Sequence, residues 1–148
     1  MPQRGEFRAS STRFQVDAPA FMFLLLAWSL SAGVKLLRPD VDAFALVWSY
    51  YGVDIDWARG MYWAVLAAEV GIVLLISRRG TRRFGAWASF WFATLLLWAN
   101  IALAADRMDC GCFGGFAVPL WGKYAIILIL LSSSAWCLHT RADACRAP

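Results

Sequence analysis

Four long apolar segments dominate this sequence and decide which folds are open to it. They cover residues 19–37, 58–76, 84–105 and 119–138. A helix needs about 20 mostly apolar residues to cross the hydrocarbon core of a bilayer. Continuous runs of this kind predict helices, because a lone strand leaves its backbone unpaired in lipid and a β-barrel shows short alternating segments. The sequence therefore predicts an all-α integral membrane protein, a bundle of four transmembrane helices.

The composition supports lipid as the solvent. Of the 148 residues, 61% are apolar and 16% are charged, whereas a soluble domain has about 45–50% and about 25%. Nine tryptophans fit the same interpretation, because tryptophan is enriched at membrane interfaces. The net charge of +4 does not indicate nucleic-acid binding, since the arginines lie in short clusters between the apolar runs.

The arginine clusters predict the orientation. Residues 77–83, SRRGTRR, hold four arginines and no acid, and arginine in short loops favours the cytoplasmic side. The N-terminal arm 1–18 and the tail 139–148 then also lie inside. The acidic connection 38–57 and the segment 106–118 lie outside. The alternative is an inverted protein.

The first apolar segment has a second interpretation. Arg4, Arg8 and Arg13 precede an apolar run that ends in small residues, as in a cleavable signal peptide. The arm is long for a signal peptide, and the apolar character continues past the small residues. Cleavage would leave three spans in the same orientation.

Two cysteines lie one residue apart in the outward segment DRMDCGCFGGF. On the oxidising side of a bacterial inner membrane, Cys110 and Cys112 would form and keep disulfides. Gly111 between them allows the sharp bend that such a bridge needs. Cys137 and Cys145 lie at the opposite end of the fourth segment and are poor partners.

The spacing alone leaves three chemistries open. The pair can exchange disulfides with a partner, capture a thiophilic metal, or simply tie a loop or a second subunit. A closed zinc site usually takes four ligands. The only histidine, His139, lies at the cytoplasmic end, and Asp106 and Asp109 are weak candidates. The sequence thus assigns no metal-ligand set, and capture of a thiophilic metal by the two thiolates remains an alternative.

Several polar or small residues lie inside the apolar segments. Glu69 falls near mid-bilayer, where an ionisable group is a functional hypothesis by default, the alternative being a neutral carboxyl bonded to another helix. Lys35 can snorkel to the headgroups, favour a nearby thiolate or pair with Glu69, although their depths differ. Asn100 suggests a hydrogen bond between helices, and Gly33 and Gly71 suggest close helix packing.

Three pieces of sequence in this order, SAGVKLLRP, AAEVGIVLL and MDCGCFG, carry a resemblance to a known family. The chain resembles the methylamine-utilisation protein MauE family, within the wider DoxX-like group of small four-helix membrane proteins. The resemblance covers most of the chain, and residues 19–138 would form the MauE/DoxX-like domain.

The resemblance implies a role in methylamine utilisation. MauE proteins are implicated in maturation or export of the disulfide-rich β subunit of periplasmic methylamine dehydrogenase. It implies that Cys110 and Cys112 are a redox pair that serves this subunit or a thioredoxin-like carrier. Lys35 and Glu69 would support the pair, and a quinone is a conceivable electron acceptor. Two alternatives are a non-catalytic assembly factor or anchor, and a carrier of a thiophilic metal.

Overall fold

The computed structural model describes residues 6–105 and 119–144, with side chains described at 19–104, 119 and 121–139. Five α-helices make up these ranges: α1 Glu6–Leu37, α2 Val41–Tyr50, α3 Ile55–Ser77, α4 Arg82–Ala105 and α5 Leu120–Ala144. No strand occurs in either range. The predicted all-α class is confirmed.

Four of the helices contain segments long and apolar enough to cross a membrane. These are Pro19–Leu37, Ile55–Ser77, Arg82–Ala104 and Trp121–His139. Each begins and ends within a few residues of a predicted span. The predicted helical membrane bundle is thus confirmed.

The four long helices form a closed ring. α1 packs against α3 and α5, and α4 packs against the same two helices. Residues 78–81 alone join α3 to α4, so these two helices run antiparallel. Large apolar side chains fill the interior, among them Leu24, Trp28, Ile72 and Ile127.

The turn between α3 and α4 is tightly built. Thr81 donates its hydroxyl hydrogen to the carbonyl of Leu75 at 2.8 Å, and Arg82 Nε donates to the carbonyl of Ile76 at 3.2 Å. A Cβ added at Gly85 would lie 2.7 Å from Ile76 Cγ1 and 2.9 Å from the Ile76 backbone nitrogen. Only a glycine at position 85 therefore lets α4 start this close to the end of α3.

The prediction that Gly33 and Gly71 permit close helix packing is wrong. A Cβ added at either glycine meets no described atom within 4 Å. Each lies two residues from a buried charged residue, Lys35 and Glu69 respectively. Two residues are about 200° of helical turn, so each glycine faces away from the bundle interior.

α2 is a short helix within the connection 38–57, where the sequence predicts no span. It is ten residues long and packs on α3 through Phe44 and Ala45, which are buried. The Phe44 ring meets the Tyr62 ring edge-on, with centroids 5.6 Å apart. The connection between the first two spans is thus a packed part of the bundle.

Candidate functional site

The two cysteines predicted to be functional lie outside the described residues. Cys110 and Cys112 belong to the segment 106–118, which connects the end of α4 to the start of α5. Since α4 begins at the 78–81 turn and ends at Ala105, this segment starts at the opposite end of the bundle. The same end carries the connection between α1 and α3. Cys145 also lies outside the described ranges.

The structure brings the other two predicted residues together. Lys35 and Glu69 are 1% and 0% exposed, and Lys35 Nζ donates a hydrogen bond to Glu69 Oε1 as part of an ion pair. Ser31 Oγ donates to the same oxygen at 3.0 Å. One carboxylate oxygen of α3 thus accepts from two α1 side chains one helical turn apart.

The geometry of the helices explains why the pair forms despite the difference in depth along the chain. Side chains of an α-helix lean toward its N-terminus. Because the polar contacts between α1 and α3 run in antiparallel register, Lys35 leans into the bundle while Glu69 leans toward the end where α3 begins. The lysine stem spans the remaining distance. Lys35 is therefore buried inside the bundle in a pair with Glu69, and its side chain is not exposed on the outer surface as a snorkelling lysine would be.

Tyr62 fixes the backbone of the same lysine. Its hydroxyl donates to the carbonyl of Lys35 at 3.2 Å, and the ring is buried. This carbonyl lies in the last turn of α1, and its helical partner would be the N–H of residue 39, which is Pro39 and has none. The Tyr62 hydroxyl therefore supplies the donor that the Lys35 carbonyl would otherwise lack. Neither Tyr62 nor Ser31 stood out in the sequence.

The second oxygen of Glu69 is different from the first. Oε2 is buried and has no hydrogen-bond partner among the residues with described side chains. A buried acceptor left without a donor costs about 1–3 kcal/mol, and more when the group is charged. The carboxylate can therefore accept one further hydrogen bond inside the bundle.

A second polar cluster joins three helices. Trp28 Nε1 of α1 donates to Ser89 Oγ of α4 at 2.8 Å, and Ser89 lies 3.0 Å from Ser134 Oγ of α5. Ser134 donates to the carbonyl of Leu130 at 2.8 Å, so Ser89 must be the donor to Ser134. Every hydroxyl hydrogen is used, which makes this cluster a structural link between helices.

Two more polar residues are buried near the end where segment 106–118 attaches. Asn100 donates to the carbonyl of Leu96 within α4 at 2.7 Å. Lys123, on the first turn of α5, is 4% exposed. Sequence reasoning missed Lys123, although a lysine inside a predicted span was the available signal. His139 lies at the opposite end of α5 and is exposed, while Cys137 is buried.

Comparison with known families agrees with this architecture. The model of a family described as methylamine utilisation protein MauE matches residues 14–140, which include all four spans. No curated relative and no solved structure was found to match the chain. The match covers well over half of the chain. The protein therefore belongs to the MauE family, as a multi-pass membrane protein associated with methylamine utilisation.

Proposed function

We propose that this MauE protein supports maturation of the methylamine dehydrogenase β subunit through a Cys110–Cys112 redox pair in the bacterial periplasm. One observation carries the proposal. The family match spans all four membrane helices, and the chain has a Cys-Gly-Cys sequence in the segment that connects the last two. In this account a thioredoxin-like carrier is the alternative direct partner.

The charge distribution supports the proposed orientation. Four arginines flank or lie in the turn from α3 to α4, at positions 78, 79, 82 and 83. The other end of the bundle carries Asp42, Asp54 and Asp56, with Arg59 bonded to Asp42 at 3.0 Å. The arginine-rich turn favours the cytoplasm. The termini would then be cytoplasmic, and Cys110 and Cys112 would face the periplasm of a bacterial inner membrane.

The proposed chemistry is thiol–disulfide exchange. A thiolate of the reduced partner attacks one sulfur of the Cys110–Cys112 disulfide and forms a mixed disulfide, which releases the other cysteine. The second partner thiol then attacks the mixed disulfide. The partner leaves with a disulfide, and Cys110 and Cys112 hold two electrons and two protons as thiols.

Return to the disulfide requires an acceptor for two electrons and two protons. A membrane quinone, when bound, supplies that capacity. Glu69 Oε2 is a buried acceptor without a donor among the described side chains, so it could accept a hydrogen bond from the hydroxyl of the quinol that forms when the quinone is reduced. Ser31 and Lys35 occupy the other oxygen and hold the carboxylate in place. Glu69 and Lys35 would thus support the redox pair from within the bundle.

The direct test removes the thiols in cells that grow on methylamine. We expect Cys110→Ser with Cys112→Ser to leave the dehydrogenase β subunit with free thiols, seen as a mass increase after alkylation. Cys137→Ala is the matched control, because that cysteine is buried in α5 and should not affect the β subunit. A fully disulfide-bonded β subunit in the double variant would instead favour a non-catalytic assembly factor or anchor.

A separate test addresses Glu69. The protein is reduced in vesicles that contain a quinone, and the rate at which Cys110 and Cys112 become resistant to alkylation is measured. We expect Glu69→Gln to slow this rate and Ser31→Ala to slow it less, because Lys35 still holds the carboxylate in the second variant. An unchanged rate in Glu69→Gln would remove Glu69 from the mechanism.

A further inference from the structure

α2 has an apolar character on nearly every side. Its sequence is VDAFALVWSY, with one charged residue, Asp42. At ten residues it is too short to cross a bilayer. A helix that is apolar all round is found in a protein core or against lipid. α2 packs on α3, and this contact covers only one side of it.

The helical register divides α2 into three strips, at about 100° per residue. The strip toward α3 holds the two buried residues, Phe44 and Ala45. A narrow polar strip beside it holds Asp42 and Ser49. The third strip lies opposite α3 and is apolar, and it consists of Ala43, Leu46, Val47 and Tyr50.

The third strip is open in the described structure. Leu46 is 64% exposed and Tyr50 is 66% exposed. Other apolar side chains are exposed at the neighbouring helix ends, namely Leu37 at the end of α1 and Ile55 and Trp57 at the start of α3. The same end of the bundle thus exposes apolar side chains on α2 and on the ends of two candidate spans.

The polar strip marks the side of α2 that faces water. Asp42, 80% exposed, accepts a hydrogen bond from Arg59 at 3.0 Å. Arg59 in turn lies 3.5 Å from Asp56 on its own helix. Three charged groups at one level are expected among headgroups and water. Tyr50 and Trp57 lie at the same end of the bundle, as interfacial aromatic residues do.

We infer that α2 lies in the membrane interface, held between α3 and the lipids, with Leu46 and Tyr50 inserted at the boundary of headgroups and acyl chains. The partner of its open strip is the lipid surface. An interfacial helix with a charged edge and an apolar face binds membranes in this way. The inference is independent of the proposed redox function. It adds a lipid contact through α2 at the end of the bundle where segment 106–118 attaches.

Photo-cross-linking in a bilayer tests the inference on the full chain with its native cysteines. p-Benzoylphenylalanine replaces Leu46 or Tyr50, and the protein is placed in phosphatidylcholine–phosphatidylglycerol vesicles. Replacement of Asp42 is the control for the water-facing strip. Replacement of Leu128, which is exposed within the α5 span, is the control for lipid contact. Monodisperse behaviour of each variant in detergent is checked before reconstitution.

We expect lipid adducts, seen as a mass increase of the intact protein, at positions 46, 50 and 128. We expect no lipid adduct at position 42. Lipid adducts at 128 with none at 46 or 50 would overturn the inference. So would adducts to a second protein chain at 46 and 50, because the strip would then be a protein interface.

Discussion

The buried pair between Lys35 and Glu69 gives the sharpest stability prediction. We expect Glu69→Leu to destabilise the bundle, because it leaves the Lys35 ammonium buried without its carboxylate. Breaking a buried ion pair on one side costs about 3–5 kcal/mol. Lys35 lies only two residues from the end of α1, so its flexible stem can carry the amine toward the interface. The expected loss is therefore near the lower end, about 3 kcal/mol.

The double variant Lys35→Met with Glu69→Leu should cost less than Glu69→Leu alone. Both charges are then gone, and replacement of a buried pair by apolar side chains of similar size is often neutral. The remaining loss is the hydrogen bond from Ser31 to the carboxylate, about 1 kcal/mol. We therefore expect the second substitution to recover about 2 kcal/mol of unfolding free energy.

The assay is reversible unfolding in lipid bicelles, with the free energy of unfolding obtained by steric trapping. The exposed pair of Arg59 and Asp42 at the same end of the bundle is the matched control. Asp42→Ala should cost no more than about 1 kcal/mol. The single variant Lys35→Met is measured as well, and a double variant that loses the sum of the Lys35→Met and Glu69→Leu losses would refute the coupling. It would mean that the two residues act independently.

Two further predictions concern packing and use the same unfolding measurement. Gly85→Ala should lower the free energy of unfolding by about 1–3 kcal/mol, because the added Cβ would lie 2.7 Å from Ile76 Cγ1. Gly71→Ala is the control and should be neutral or slightly stabilising. Equal effects at the two glycines would contradict the close approach at Gly85. Ser89→Ala should lower the free energy of unfolding by about 1–3 kcal/mol, because it leaves the buried Trp28 N–H without its acceptor. The double variant Ser89→Ala with Trp28→Phe should lose less than the sum of the losses of the two single variants. Additive losses would show that the hydrogen bond contributes nothing.

Hydropathy alone was enough to predict the spans. Lipid imposes both a length and an apolar composition on a membrane helix, so the four spans can be recognised in the sequence without knowledge of the tertiary structure. The bounds were less accurate because polar residues extend the helices. α3 begins at Ile55, before the predicted residue 58, since Asp54 caps it by accepting from the N–H groups of Asp56 and Trp57. α2 was missed because a ten-residue apolar run is too short to register as a span.

The site was harder to predict because it depends on side-chain direction. Positions along the helices suggested different depths for Lys35 and Glu69, and only the lean of each side chain in an antiparallel pair brings them together. Ser31 and Tyr62 joined the site through hydrogen bonds that no pattern in one sequence reveals. The glycine prediction failed because a glycine can face lipid as easily as a neighbouring helix, and the glycine in close contact was Gly85.

The state and sidedness of the Cys110–Cys112 pair test the central claim most directly. A variant that keeps only these two cysteines is treated in intact cells with a membrane-impermeant maleimide, with and without mild reduction, beside a variant that keeps only Cys145. We predict that both thiols of the pair are labelled only after reduction, and that Cys145 is labelled only after the membrane is opened. Labelling of the pair without reduction would contradict a resting disulfide. Labelling of the pair only after the membrane is opened would contradict the orientation and the function built on it.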